Sequence, residues 1–288
     1  MLLSKYTAIR QLIYSYIIPA TSINTELKQA ICIVNEEIPL HKGRDIERIL
    51  YISGIALRLA KSEKILALEI ANAIASHISR NFNKEFQLQI VSPGWIHFEL
   101  THPFLAAWLQ GLVEEVGEQG GRRTLEQGNR GAGEMMNLNS PPLPDSLSPS
   151  LTNSQTLFTA QYAHARCCSL LRLAHQEGLI KSRLQPIPWL CEEHLRFNHP
   201  ASWGLISKLV EVVDLEFSCP RSPTAWEKVT LSLAQAFLCF WDNCRIWGET
   251  RTEFPELAQS RLGLVMATQS VLSFLLEEKL GISALNEL

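Results

Sequence analysis

PTAWEKVTLSLAQAFLCFWDNC, residues 223–244, and LAQSRLGLVMATQSVLSFLLEEKLG, residues 257–281, decide the fold of the second half of this chain. In the first segment Trp226, Val229, Leu233, Phe237 and Phe240 recur at helical spacing and mark one buried face. Ser222 is a candidate N-cap, Pro223 suits the first helical position, and Glu227 lies in the first turn. In the second segment Leu257, Leu264, Val265, Leu272 and Leu275 form the stripe, and Gly281 signals the end. The break between them, GETRTEFPE, is short and polar. Two helices this apolar cannot stand alone, so an all-α bundle is expected around them.

That bundle extends backward to Leu157. TLFTAQYAHARCCSLLRLAHQEG reads as its opening helix, with Phe158, Tyr162, Ala165, Cys168 or Ser169, and Leu173 at helical spacing. ASWGLISKLVEVVDLEF is another helix, and the Pro- and His-bearing KSRLQPIPWLCEEHLRFNHP between them reads as loop with one short helix at most. Upstream, residues 114–156 carry Gly117, Gly120, Gly121, Gly128, Gly131 and Gly133, then NSPPLPDSLSPSLTNS. No apolar period survives there, so this stretch reads as a flexible linker.

Residues 1–113 have a different texture. KYTAIRQLIYSYI, NTELKQAICIV, RDIERILYISGIALRLAKS and EKILALEIANAIASHISRNF each suit a helix. FQLQIVSPGWIHFELT instead alternates: Leu88, Ile90 and Val91 precede a Ser-Pro-Gly turn, and Ile96, Phe98 and Leu100 follow it, as in a strand hairpin. The expectation is two domains, a small α/β (α+β) N-terminal domain and an all-α helical bundle, which suits 288 residues at roughly 150 per domain.

Composition excludes several classes. Apolar residues make up 46% of the chain and charged ones 19%, enough for ordinary cores. No apolar run approaches the roughly 20 residues of a membrane span, and no signal peptide is evident, so a cytoplasmic protein is expected. The seven cysteines form no CxxC pair and show no zinc-ligand spacing, so neither metal nor disulfide is expected, and no cofactor motif is present. The net charge of −3 is spread without a basic domain: 11 basic against 9 acidic residues over 1–110, and 12 against 14 over 157–288.

The order of these segments resembles the arginyl-tRNA synthetase family. LAQAFLCFWDNCRI, then ELAQSRLGLVMATQSVL and LGI, resemble the end of its all-helical anticodon-binding (DALR) domain, and Gln161 to Arg166 resemble its Gln-Tyr-Ala-His-Ala-Arg segment. IALRLAKSEKILALEIANAI and VSPGWIHFEL are similar to the family's N-terminal additional domain. In its Gly-Pro-Gly-Phe-Ile-Asn-Phe strand, Ser92 here replaces the first Gly, Trp95 the Phe and His97 the Asn. The resemblance implies tRNA as ligand, arginine tRNA first. Ser92, Trp95 and His97 would meet its outer corner near the D-loop, by stacking and base-edge hydrogen bonds. Tyr162, Arg166, Arg172, Lys181 and Arg183 would meet the anticodon arm. Four of these have a plainer alternative: Trp95 as core, His97 as a surface strand residue, and Tyr162 and Arg166 as helix packing and a core-edge salt bridge.

The same resemblance implies what is missing. The family's ATP-binding catalytic domain lies between the two parts recognised here, and the linker cannot hold it. His41-Lys42-Gly43-Arg44 lacks the second His of a His-x-Gly-His turn, and Lys61-Ser62-Glu63-Lys64 places a Glu where a Lys-Met-Ser-Lys loop would meet phosphate. His164 and Cys167 lie three apart on one helix with no orienting third group. A non-catalytic tRNA-binding relative is therefore expected. The alternatives are a protein-interaction or regulatory scaffold, or a subunit acting in trans with a separate catalytic domain. The ending SALNEL lacks the Arg and Met of the family's usual Pro-Glu-Arg-Met tail.

Overall fold

A computed structural model describes residues 8–23, 38–63, 65–81, 84–127, 151–180, 186–217 and 223–288. The N-terminal half is α1 (Ile9–Ile23), β1 (Leu40–Lys42), β2 (Leu50–Ser53), α2 (Ile55–Glu63), α3 (Ala67–Asn81), β3 (Phe86–Val91), β4 (Trp95–Leu100) and α4 (His102–Gln127). The C-terminal half is α5 (Leu151–Gln176), a two-residue hairpin β5 (Leu190–Cys191) and β6 (His194–Leu195), then α6 (Pro200–Phe217), α7 (Pro223–Asn243), α8 (Glu249–Glu253) and α9 (Pro255–Phe274). A π-helical turn, Leu275–Lys279, closes α9, and Gly281 adopts φ 68° after it. The α+β and all-α classes expected from sequence are both present.

β1 to β4 form an antiparallel sheet in the order β1-β2-β4-β3. The alternation read in β4 is real: Ile96, Phe98 and Leu100 are buried, while Trp95, His97 and Glu99 share the other face. β2 corrects the sequence reading, which ran one helix through RDIERILYISGIALRLAKS. Its strand pairs on both edges and is buried at Leu50, Tyr51 and Ser53, so no polar alternation distinguished it from a helix. The helix expected over NTELKQAICIV and the cap expected at Ser222 lie outside the described residues.

A second correction concerns the expected linker. α4 runs past residue 113 to Gln127 and α5 begins at Leu151, so 114–156 is helical at both ends. The two halves are also joined laterally. α1 packs on α6, α4 on α9, and one cluster of buried apolar side chains runs from Ala8 to Leu276. Trp189 is central to this joint. Its indole N–H donates to Gln110 of α4 at 2.9 Å. Its ring also fills the space above Gly263 of α9, where a Cβ would come within 2.5 Å of it. Asp214 of α6 accepts from the Tyr51 hydroxyl of β2 and from the Arg10 backbone N–H of α1 at 3.0 Å. Burial raises the Tyr51 pKa well above its usual value, so the hydroxyl keeps its proton and donates it, and burial also raises the pKa of Asp214. Among the described residues no helix is long and apolar enough to cross a membrane.

Candidate nucleic-acid interface

The hairpin β3–β4 places its three sequence-nominated residues together on the outside of the sheet. Ser92 is exposed in the turn, and His97 sits half-buried between Ile52 of β2 and Gln89 of β3. Trp95 is 36% exposed, so it is not a core residue. Its ring lies over Gly54, where a Cβ would approach it to 2.9 Å. The absent side chain at Gly54 gives the indole room beside the backbone, and its exposed part is available to a ligand.

In the bundle, α5 packs between α7 and α9 through Ala160, Ala163, Cys167, Leu170, Leu171 and Ala174. The apolar spacing singled out from the sequence is mostly the other face. Phe158 is 63% exposed, Tyr162 44% and Leu173 37%. The rings of Phe158 and Tyr162 stack, 6.4 Å between centroids and 14° apart in plane. The small side chains let α5 approach its neighbours closely, so the larger ones are left on the surface. An exposed pair of stacked aromatics on a helix is a candidate contact surface.

Two arginines flank this ridge. The Arg166 guanidinium lies 4.8 Å from the ring centre of Trp241 on α7, and Trp241 in turn meets the edge of Trp247. Arg172 donates to the Ser169 hydroxyl and the Asn286 carbonyl and pairs with Glu287 at 3.2 Å. Lys181 and Arg183 lie outside the described residues.

The remaining residues of Gln161–Arg166 hold the chain rather than a ligand. The Gln161 amide donates to the Ser283 carbonyl at 2.8 Å and accepts from the Leu285 N–H at 2.9 Å. His164 donates from Nδ1 to the Leu285 carbonyl at 2.8 Å, and its Nε2 is 3.1 Å from the Gln269 amide. Burial lowers the His164 pKa, which favours the neutral ring. The segment 283–288 is therefore laid along α5, beside the aromatic ridge. Sequence reasoning missed Phe158 and Trp241 as surface groups. The i, i+4 aromatic pair was the available signal for the first.

No nucleophile emerges from the His164–Cys167 spacing. Burial pushes the Cys167 thiol well up in pKa, and the sulfur 3.9 Å from His164 belongs to Cys168. Among the described residues no group of three His, Cys, Asp or Glu side chains gathers as a metal site would.

The family model of the DALR anticodon binding domain matches residues 160–288. The C-terminal part of the chain is homologous to arginine–tRNA ligases. The ligase of Synechococcus sp. (strain JA-3-3Ab) is 34% identical over 125 residues, 43% of this chain and 21% of that protein. That of Pelodictyon phaeoclathratiforme is 35% identical over 130 residues, 44% and 22%. That of Ruminiclostridium cellulolyticum is 30% identical over 178 residues, 59% and 28%. The chain thus spans between a fifth and a third of the length of these relatives. No solved structure matches it. Tyr162, the Arg166–Trp241 pair and the docked 283–288 segment lie within the matched region, and Phe158 lies two residues before it.

Proposed function

We propose that this chain is a tRNA-binding relative of arginine–tRNA ligase that does not itself activate arginine, with arginine tRNA as its first ligand. The observation that carries the reading is the exposed, stacked Phe158–Tyr162 pair, which straddles the first residue of the matched DALR region. Every base has a π face, so such a ridge takes an unstacked anticodon base at roughly 1–3 kcal/mol per stack. Arg166 and Arg172, with Lys181 and Arg183, would neutralise the adjoining phosphates. Ser92, Trp95 and His97 supply a second contact, on the outer corner of the tRNA. Two features of the sequence support the non-catalytic part of this reading. No phosphate-gripping turn is present, and residues 128–150 between α4 and α5 are far too few for a catalytic domain.

Titration of the full chain with arginine tRNA and with unfractionated tRNA, at two salt concentrations, tests this. Binding should fall steeply with salt, since released counterions drive it. Arg166→Ala should weaken it and flatten the salt dependence by about one unit of slope. Purified protein should support no arginine-dependent ATP–pyrophosphate exchange. Failure to bind any tRNA at low salt would remove this reading and leave the ridge as a protein-docking face.

A further inference from the structure

A cleft of about 960 Å³ opens where the two halves meet, away from the α5 ridge. Its walls come from α1, from β1 and the loop after it, from α6, and from α7. The stretch Lys42-Gly43-Arg44, which has no nucleotide-gripping turn as sequence, forms one side of it.

The charges in the cleft are unequally committed. Asp45 is paired with Arg48 at 2.7 Å, and Glu211 with Lys208 at 2.8 Å. Asp214 is occupied by the Tyr51 hydroxyl and the Arg10 backbone N–H. The carboxylates are therefore answered from within the protein. Arg10, which also lines the cleft, has a buried Nε with no hydrogen-bond partner among the described residues. Two exposed cations are uncommitted as well. Arg44, from the N-terminal half, and Lys228, from α7, are exposed and make no hydrogen bond or ion pair among the described residues. The lining also includes apolar groups, Ile46, Trp203, Leu215 and Val229. Lys42 sits at the same site, donating to both the carbonyl and the hydroxyl of Ser207.

We propose that this cleft binds a phosphate group carried on an apolar or aromatic body, the chemistry of a nucleotide, with Arg44 and Lys228 clamping the phosphate from the two halves. The volume is that of a small-ligand pocket, and apolar walls with a few placed charges are its usual make-up. Arginine and lysine together supply a forked and a point contact to phosphate oxygens. Burial lowers the Lys42 amine to about 8, so it is still mostly protonated near neutral pH, and two of its three N–H groups are given to Ser207. The nucleotide has two sources, a free mononucleotide or one unit of an RNA strand. This site does not depend on the α5 reading.

Calorimetric titration of the full chain with AMP, adenosine and unfractionated tRNA separates the sources, using the double variant Arg44→Gln/Lys228→Gln. Both side chains are exposed and unpaired, so the variant should melt with the parent. A free ligand appears as AMP binding that adenosine does not reproduce and that the variant weakens at least tenfold. An RNA ligand appears as tRNA affinity that falls at least tenfold in the variant, with the salt slope flattened by about two units. Adenosine binding as tightly as AMP would overturn phosphate recognition. Unchanged AMP and tRNA binding in the variant would overturn the site itself. Loss of tRNA binding in Arg166→Ala alone would then leave the α5 reading standing. AMP loss in the double variant of a chain that binds no tRNA would do the reverse.

Discussion

The hairpin face and the α5 ridge are both candidate RNA surfaces, yet their side chains start from opposite conditions. On the hairpin, the side chains of Ser92 and His97 make no hydrogen bond among the described residues, and the Trp95 ring lies against Gly54. On α5, Phe158 and Tyr162 already stack on each other, Arg166 on Trp241, and Arg172 on the 283–288 segment. A ligand meeting the hairpin adds contacts. A ligand meeting α5 exchanges them, so affinity there is a difference between new and broken interactions. Preorganisation offsets this, because the α5 groups lose less rotamer freedom on binding.

The largest effect should come from breaking the joint that holds both surfaces in one body. Trp189 is buried, bonded to Gln110 of α4 and seated over Gly263 of α9. Trp189→Ala should cost about 3–5 kcal/mol, as for a large core aromatic. Denaturant melting followed separately by Trp fluorescence and circular dichroism checks whether the two halves still unfold together. Retention of a single transition at parent stability would mean the halves do not depend on this contact.

Trp95→Ala comes next. A half-exposed ring over a glycine should cost clearly less than a core aromatic in stability, about 1–2 kcal/mol, while RNA affinity falls by a stacking contact of roughly 1–3 kcal/mol. The salt slope should not change, because no charge is removed. A stability loss as large as that of Trp189→Ala would contradict the open face.

How much of this could be read beforehand depends on whether local pattern or distant contact decides. Trp226, Val229, Leu233, Phe237 and Phe240 are all buried as their spacing implies, since one face of a long helix has one solution. The hairpin was legible because alternation with a Ser-Pro-Gly turn has no helical counterpart. β2 was not, because ILYI is apolar whichever period is imposed. α5 is apolar on two sides, and the sequence does not say that alanines would face in and Phe158 out. The docking of 283–288 pairs residues more than 100 positions apart, and the cleft needs both halves in place.

Acid offers a smaller, graded test. His102 in the joint faces His194 at 3.3 Å between Nδ1 atoms, with Trp203 and Glu99 nearby. Burial, and then His194, lowers the His102 pKa, and burial lowers that of His164. Between the folded and unfolded values the unfolded chain binds more protons. The contribution of each is therefore present above about 6.5 and lost as pH falls through the folded value. Stability measured at pH 7.5 and 5.5 should drop on acidification. His102→Asn and His164→Gln should each flatten the drop. An unchanged slope in both would assign the acid sensitivity elsewhere.

The smallest effect sharpens the comparison most. The Arg172–Glu287 pair is exposed, with side chains 47% and 79% accessible, so it is worth at most about 0.2–1 kcal/mol. Glu287→Gln should leave melting within about 0.5 kcal/mol of the parent. If Arg172 must be released before it meets a phosphate, the same substitution should raise tRNA affinity about two- to fivefold, since that is what such an energy converts to. The gain should be greatest at low salt, where the pair is screened least. Arg172→Ala should abolish the gain, which separates release of the arginine from a general loss of negative charge near RNA. Removing 283–288 altogether is a poorer probe. It strips Gln161 and His164 of their carbonyl and N–H partners, and the bundle itself would be destabilised. Should Glu287→Gln leave affinity untouched while Arg172→Ala lowers it, the arginine binds RNA without leaving its partner. Should neither change it, Arg172 serves the fold alone and the ridge works through its aromatic rings and Arg166.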